Sequence, residues 1–101
     1  MNSISGKVII ITGASKGIGE ASALLMAGMN VHLALVARNE EELKQVQAEV
    51  RSKGSSCEIF IGNVSDEIFV NNVIYSTLQM FGKIDIMINN AGYGIFKTIE
   101  N

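Results

Sequence analysis

The sequence predicts an α/β chain built on a doubly wound parallel sheet with strand order 3-2-1-4. Three observations predict it. Apolar, β-branched runs alternate strictly with helix-periodic segments from residue 7 to residue 89. The runs are nearly continuous instead of alternating with polar residues, as strands covered on both faces are. A glycine-rich turn, Thr12-Gly13-Ala14-Ser15-Lys16-Gly17-Ile18-Gly19, joins the first run to the first helical segment.

Each element has its own justification. Residues 7–12 (Lys-Val-Ile-Ile-Ile-Thr) form the first strand, and residues 18–27, with apolar Ile18, Ala21, Leu24, Leu25 and Ala27, the first helix. Residues 31–37 are a second strand. Residues 40–53 are a helix with Leu43, Val46 and Val50 on one face, opened by Asn39 as N-cap with Glu42 completing a capping box and closed by Gly54. Residues 57–61 are a third strand. Residues 66–81 are a helix with Val70, Val73, Ile74 and Leu78 turned inward, capped by Ser65, favoured by the charges of Asp66 and Glu67, and ended by Gly82. Residues 84–89 are the fourth strand. Short connections between strands and helices imply right-handed crossovers. The chain has no proline, and no repeat, linker or low-complexity segment divides it.

Composition narrows the function classes. A chain of 101 residues is read as one domain, residues 1–101. Hydrophobic residues make up 48%, yet the longest apolar candidate, 21–37, is interrupted by Ser22, Asn30 and His32, so no membrane span is expected. A basic segment followed by an apolar one is lacking at the N-terminus, so the expected location is cytoplasmic. A net charge of −2 with dispersed signs provides no basic stripe for nucleic acid. The one cysteine excludes an internal disulfide and a cysteine-rich metal site, and no metal is expected. Cys57 reads as a buried, inert thiol.

The glycine turn carries the chemistry. Gly13 lets the backbone turn sharply, Gly17 lets the main chain approach phosphates, and Gly19 lets the helix pack closely, while the helix N-terminus offers unpaired N–H groups to an anion. Gly13, Ser15, Lys16, Gly17, Ile18 and Gly19 are therefore candidate contacts to a dinucleotide diphosphate. In such sheets ligands gather at the C-terminal strand ends, where Thr12, Ala37-Arg38, Gly62-Asn63 and Asn89-Asn90 fall. His32, at the start of its strand, lies at the opposite end and reads as a packed or surface residue.

With Thr12, Gly13, Gly17 and Gly19 matching the spacing TGxxxGxG, and Asn89-Asn90-Ala91-Gly92 following the fourth strand, the chain resembles the short-chain dehydrogenase/reductase superfamily over residues 6–94. The resemblance implies a Rossmann-type fold and oxidoreductase chemistry, hydride passing between a nicotinamide cofactor and a carbonyl or alcohol substrate. Family members are usually more than twice as long, so the chain looks like an N-terminal, cofactor-binding portion truncated after the fourth strand. The family's catalytic Tyr and Lys, spaced YxxxK on a helix after the fifth strand, and their supporting Ser and Asn, fall beyond residue 101, so no catalytic residue is assigned. Tyr93-Gly94-Ile95-Phe96-Lys97 has that spacing but sits directly after Asn89-Asn90-Ala91-Gly92, and Tyr75 is followed by Gln79 at the fourth place; neither is a catalytic candidate. By resemblance, Asn90, Ala91 and Gly92 are contacts along the adenosine ribose. Asn63, preceding Val64 where the family usually has Asp, is the contact to the adenine amino group through its carbonyl oxygen.

The end of the second strand reads out the cofactor. A carboxylate there would hydrogen-bond a ribose 2′-hydroxyl and repel a 2′-phosphate. Ala37, Arg38 and Asn39 stand there instead. Arg38 can pair bidentately with a phosphate and Lys16 can add a second positive charge, which favours NADP(H) over NAD(H), as family members with basic residues at these positions do. Glu40, Glu41 and Glu42 partly offset Arg38 but are better explained as first-turn helix residues. Two other readings stand beside an oxidoreductase portion: a nucleotide-binding module without catalysis, and a fragment that forms homo-oligomers through the exposed edge of the fourth strand.

Overall fold

A computed structural model describes residues 3–90. Strand β1 (Val8–Thr12) is buried throughout, as its unbroken β-branched run requires. It leads through the glycine turn into helix α1 (Gly17–Met26) and a single 3₁₀ turn at Ala27–Met29. Asn30 follows in the left-handed region, φ 58°, where asparagine is among the few tolerated side chains. Strand β2 (His32–Ala37), helix α2 (Glu40–Ser52), strand β3 (Ser56–Ile61), helix α3 (Glu67–Phe81) and strand β4 (Ile86–Asn89) complete the order.

The sheet is parallel and runs β3-β2-β1-β4, the order expected. β1 lies between β2 and β4, so chain direction reverses its lateral progress there, and the C-terminal end of β1 is the switch point. Alternate side chains of the central strands feed two cores. Ile9, Ile11, Leu33 and Leu35 pack with Ala23, Leu43, Val46 and Val50 from α1 and α2. Ile10, Ala34 and Val36 pack with Val73 of α3 and with Ile84. Helices therefore cover both faces, and the sheet is doubly wound.

At α2 Asn39 is the N-cap expected, but the Glu42 carboxylate does not bond back to the Asn39 N–H to complete the capping box; at α3 the cap itself departs from the sequence. Asn39 Oδ1 accepts from the Glu42 N–H at 3.0 Å. At α3 the cap is Asp66, not Ser65: its Oδ1 accepts from the N–H of Ile68 at 3.0 Å and of Phe69 at 3.3 Å. A carboxylate at that position satisfies two orphan donors and sits favourably on the helix dipole. The buried stripe of α3 also differs from expectation. Val70, Val73 and Thr77 face the sheet, while Leu78 is exposed. Thr77 is tolerated inside because its hydroxyl donates to Val73 O at 2.7 Å, so no polar atom is stranded.

The fourth strand is shorter than expected, because residues 84 and 85 are used differently. Ile84 is a core residue outside the ladder. Asp85 exchanges two hydrogen bonds with Val8: its carboxylate accepts from the Val8 N–H at 2.8 Å and its own N–H donates to Val8 O at 2.9 Å. Lys83 Nζ lies 3.1 Å from the same carboxylate. The Val8 hydrogen bond, with Lys83 beside it, holds the Asp85 carboxyl below its ordinary 3.8.

Candidate functional site

At the switch point the glycine turn is built as its spacing demands. Gly13 (φ 63°) and Gly17 (φ 61°) both take left-handed backbone, which a side chain would resist. A Cβ on Gly17 would meet nothing within 4 Å, so that position faces open space. Gly19 is the opposite case: a Cβ there would run into the Gly13 carbonyl, with Gly13 C at 2.7 Å and Ala14 Cα at 3.0 Å. The start of α1 thus rests directly on the backbone of the turn. Lys16, the α1 N-cap, is extended and makes no side-chain cap, which leaves first-turn N–H groups available to an anion.

Thr12 ties this turn to the second motif. Its buried hydroxyl donates to Asn89 Oδ1 at 2.8 Å and accepts from the Asn90 N–H at 3.0 Å. Ala14 N–H donates to Val36 O at 3.1 Å and Gly62 N–H to Ala37 O at 3.0 Å, so the ends of β1, β2, β3 and β4 are stitched side by side. Between them and α1 opens a cleft of about 720 Å³.

The cleft gathers every sequence-derived site residue that lies among those described. Its floor is the turn, from Gly13 through Ser15 to Gly19; one wall is Arg38 and Asn39 after β2; the far rim is Asn63 and Val64 after β3; Asn90 closes it. Ala91 and Gly92, and the Tyr93 to Lys97 spacing, lie outside the described residues. His32 stacks on Phe81, ring centroids 5.1 Å apart, at the N-terminal end of the sheet and away from the cleft. Cys57 is buried, and burial pushes its thiol up to about 12; it plays no part in the site.

Two polar residues of the cleft lining, Glu42 and Ser65, were missed in the sequence. Glu42, read as a first-turn helix residue, also lines the cleft, on the wall that carries Arg38. Its partners in that first turn do not: Glu40 pairs with Lys44 at 3.0 Å. Gly62, placed at the end of β3 by the sequence, lines the cleft as well, and a Cβ there would enter the Phe69 ring, with ring carbons at 2.5 to 2.7 Å. Ser65, expected to cap α3, instead turns its N–H and hydroxyl to Asn63 Oδ1, each at 2.9 Å. The Asn63 oxygen assigned to an adenine amino group is therefore already engaged, by a local turn that Asn and Ser favour. Only Glu42 had a readable signal, its place three residues after the N-cap, where a side chain reaches back toward the strand end.

The residues fit the nicotinamide dinucleotide that the resemblance implies. A turn that cannot hold a Cβ at Gly19, an open approach at Gly17 and two cationic side chains match a diphosphate-bearing ligand. Asn90 Nδ2 is buried and has no hydrogen-bond partner among the described residues; a buried donor in a cleft wall is the kind of group a ligand acceptor satisfies. Among the described residues no cluster of His, Cys, Asp and Glu suits a metal, and no helix is long and apolar enough to cross a membrane.

Comparison with known proteins agrees with this geometry. The sequence model of the family described as short chain dehydrogenase matches residues 7–101. A fatty acyl-CoA reductase of Acinetobacter baylyi is 34% identical over 97 residues, 96% of this chain and 33% of that protein. L-sorbose reductase from Gluconobacter frateurii, solved in complex with NADPH and L-sorbose, superposes with a TM-score of 0.85 at 39% identity, covering 98% of this chain and 38% of that one. An NAD+-bound xylitol dehydrogenase superposes with a TM-score of 0.85 at 40% identity, covering 90% of this chain and 35% of that one. The chain thus spans about a third of the length of these relatives. With both glycine and asparagine motifs joined at one switch point and the family's sequence model matched across nearly the whole chain, the chain belongs to the short-chain dehydrogenase family, an oxidoreductase family.

Proposed function

We propose that this chain is the NADP(H)-binding portion of an oxidoreductase that interconverts a carbonyl and an alcohol. The observation that carries the cofactor preference is the cleft wall after β2, where Arg38 stands with Ala37 and Asn39 and no carboxylate occupies the strand end. The domain reading, residues 1–101 as the cofactor-binding part of a longer fold, is part of the same proposal. When bound, the nicotinamide ring supplies or accepts the hydride. The chain's own residues bind and orient. Backbone N–H groups of the turn from Gly13 to Gly19 hold the diphosphate, and Lys16 and Arg38 neutralise the 2′-phosphate, Arg38 through a planar fork of donors. Asn90 offers its buried donor to the ligand. The NADPH complex of L-sorbose reductase supports this reading and the NAD+ complex of xylitol dehydrogenase supports the wider statement, a nicotinamide dinucleotide.

Calorimetric titration of the purified chain and its Arg38→Asp variant with NADPH and NADH tests it. Losing a charge-assisted pair and gaining a repulsive charge is expected to shift relative affinity toward NADH by about 2–3 kcal/mol, roughly 30- to 150-fold. Unchanged relative affinities would overturn the NADP(H) assignment. A second reading, self-association, has one observation in its favour: β4 stands at the edge of the sheet among the described residues. Concentration-dependent mass by light scattering is its test, and saturable cofactor binding by a monomer would sink it.

A further inference from the structure

Strand β3 is an edge of the sheet, with β2 on its inner side and no strand beyond it among the described residues. The N–H groups of Ser56 and Gly62 donate inward, to Val31 O and Ala37 O. By the alternation of a parallel ladder Glu58 and Phe60 also turn to β2, and Cys57, Ile59 and Ile61 turn their N–H and C=O groups outward. Such a row of outward groups, set among apolar residues, is a template for another strand.

The first outward position is closed. Gln47 and Arg51 stand four residues apart on α2, on one face of the helix. Both reach over the edge to one acceptor: Gln47 Nε2 donates to Cys57 O at 2.9 Å, and Arg51 Nε at 3.1 Å. Arg51 is also held by Glu58, whose carboxylate lies 3.6 Å from a terminal guanidinium nitrogen. The two side chains are 53% and 42% exposed, and an ion pair in that setting adds little to folding. What the arm does is fill the space in which a further strand would lie, about 4.8 Å from β3. With Cys57 closed, only Ile59 to Ile61 is open, shorter than the usual strand of about five or six residues.

We propose that Gln47 and Arg51 form a clamp that keeps the β3 edge from pairing with β3 of a second copy of this chain. A second copy is the occupant because the edge is complementary to itself. In an antiparallel two-fold pairing centred on Ile59, each outward N–H meets an outward C=O, and Cys57 of one copy lies opposite Ile61 of the other. A closed Cys57 therefore spoils both ends of the pairing. None of these residues lines the cleft, so the clamp stands apart from cofactor binding.

Gln47→Ala combined with Arg51→Ala removes the clamp and keeps α2, since alanine favours a helix at least as well as either residue. The mass of the full chain is followed by sedimentation over a range of concentrations, with circular dichroism read on the same samples. The double variant is expected to keep the wild-type circular dichroism and to double its mass at a concentration at least about tenfold below any at which the wild type does so. Ile61→Pro, added to it, removes an outward donor without touching the ladder to β2, and is expected to restore the wild-type mass. Ile61→Lys, which brings a charge to the edge and keeps every backbone group, should do the same. A double variant whose mass follows the wild type at every concentration overturns the clamp. Association that survives both changes at Ile61 runs through another surface and overturns it too, as does a loss of circular dichroism without a change in mass, which marks a role in folding alone.

Discussion

Gly19→Ala is the sharpest test of how the turn is built. The added methyl would enter the Gly13 carbonyl, with Gly13 C at 2.7 Å and Ala14 Cα at 3.0 Å, all backbone. No flexible side chain can swing aside. Overpacking of this kind costs up to about 3 kcal/mol or more, and the helix-propensity gain of alanine over glycine returns about 1 kcal/mol. The expected net loss is about 2 kcal/mol or more. For a chain of this size that lowers the melting temperature by about 8–16 °C. Gly28→Ala is the matched control: nothing lies within 4 Å of its Cβ position and its φ is not positive, so it is expected to be neutral or to stabilise by up to about 1 kcal/mol. Thermal unfolding followed by circular dichroism reads both variants. The same displacement of Gly13 and Ala14 would shift the N–H groups proposed to hold a diphosphate, so on that proposal NADPH affinity should fall with G19A and not with G28A. Melting of G19A within about 2 °C of wild type would refute the argument that close backbone packing demands glycine there.

Thr12→Val removes two hydrogen bonds while keeping shape, and is expected to cost about 2–3 kcal/mol in urea unfolding; Thr12→Ser, which keeps the hydroxyl, should cost about 1 kcal/mol or less. Glu42→Gln removes the carboxylate from the Arg38 wall, and should raise NADPH affinity relative to NADH severalfold at low salt, with the gain shrinking as salt rises. Equal ratios at all ionic strengths would show that Glu42 does not sense the 2′ position. Cys57, its thiol raised to about 12 by burial, should react with thiol reagents at pH 8 only as fast as the chain unfolds, and labelling at the rate of a free thiol would contradict its burial. Asp85 has a folded-state pKa below its ordinary 3.8, so the folded chain binds fewer protons than the unfolded one below that pH. Its stabilisation is complete above about pH 4 and is lost as pH falls toward the folded value. Asp85→Asn should therefore be less stable than wild type at pH 7, with the difference closing under acid; a constant difference across that range would exclude the carboxylate as its source.

What was legible in the sequence is what local periodicity encodes. β1 and β2 are buried along almost their whole length, and an unbroken apolar run is the direct mark of that. The α2 face of Leu43, Val46 and Val50 is a clean helical stripe and is buried as read. The phase of α3 was not legible, since Thr77 and Leu78 are adjacent and only the sheet decides which one faces it. Hydrophobicity argues for Leu78, and a hydroxyl that can bond back to Val73 lets Thr77 take the place. Ser65 and Asp66 are both cap formers one residue apart, and the choice went to Asp66 because Asn63 had captured Ser65. Asp85 meets Val8 across 77 residues, a pairing no local pattern announces. The cleft, Gly62 included, was legible through its glycines and strand ends; Ser65 was not, and Glu42 only through its place after the N-cap, because their membership depends on which way a loop or a first helical turn faces.

The two family motifs were read as separate signals, yet in the fold they are one structure. The Thr12 hydroxyl touches both residues at the junction of β4 with the second motif, and β4 pairs with β1 along Ile9 to Thr12. The glycine turn begins one residue after this junction. Its backbone is therefore anchored on one side by β2, through the Ala14 N–H, and on the other by β4, through contacts between residues 77 and 78 positions apart. This separates two kinds of perturbation. Changes at Thr12, Asn89 or Gly19 act on the anchor, so stability and dinucleotide affinity should fall together. Changes at Arg38 or Glu42 act on exposed or half-exposed walls beyond the anchor, so they should redistribute affinity among dinucleotides while leaving the unfolding midpoint near that of the wild type.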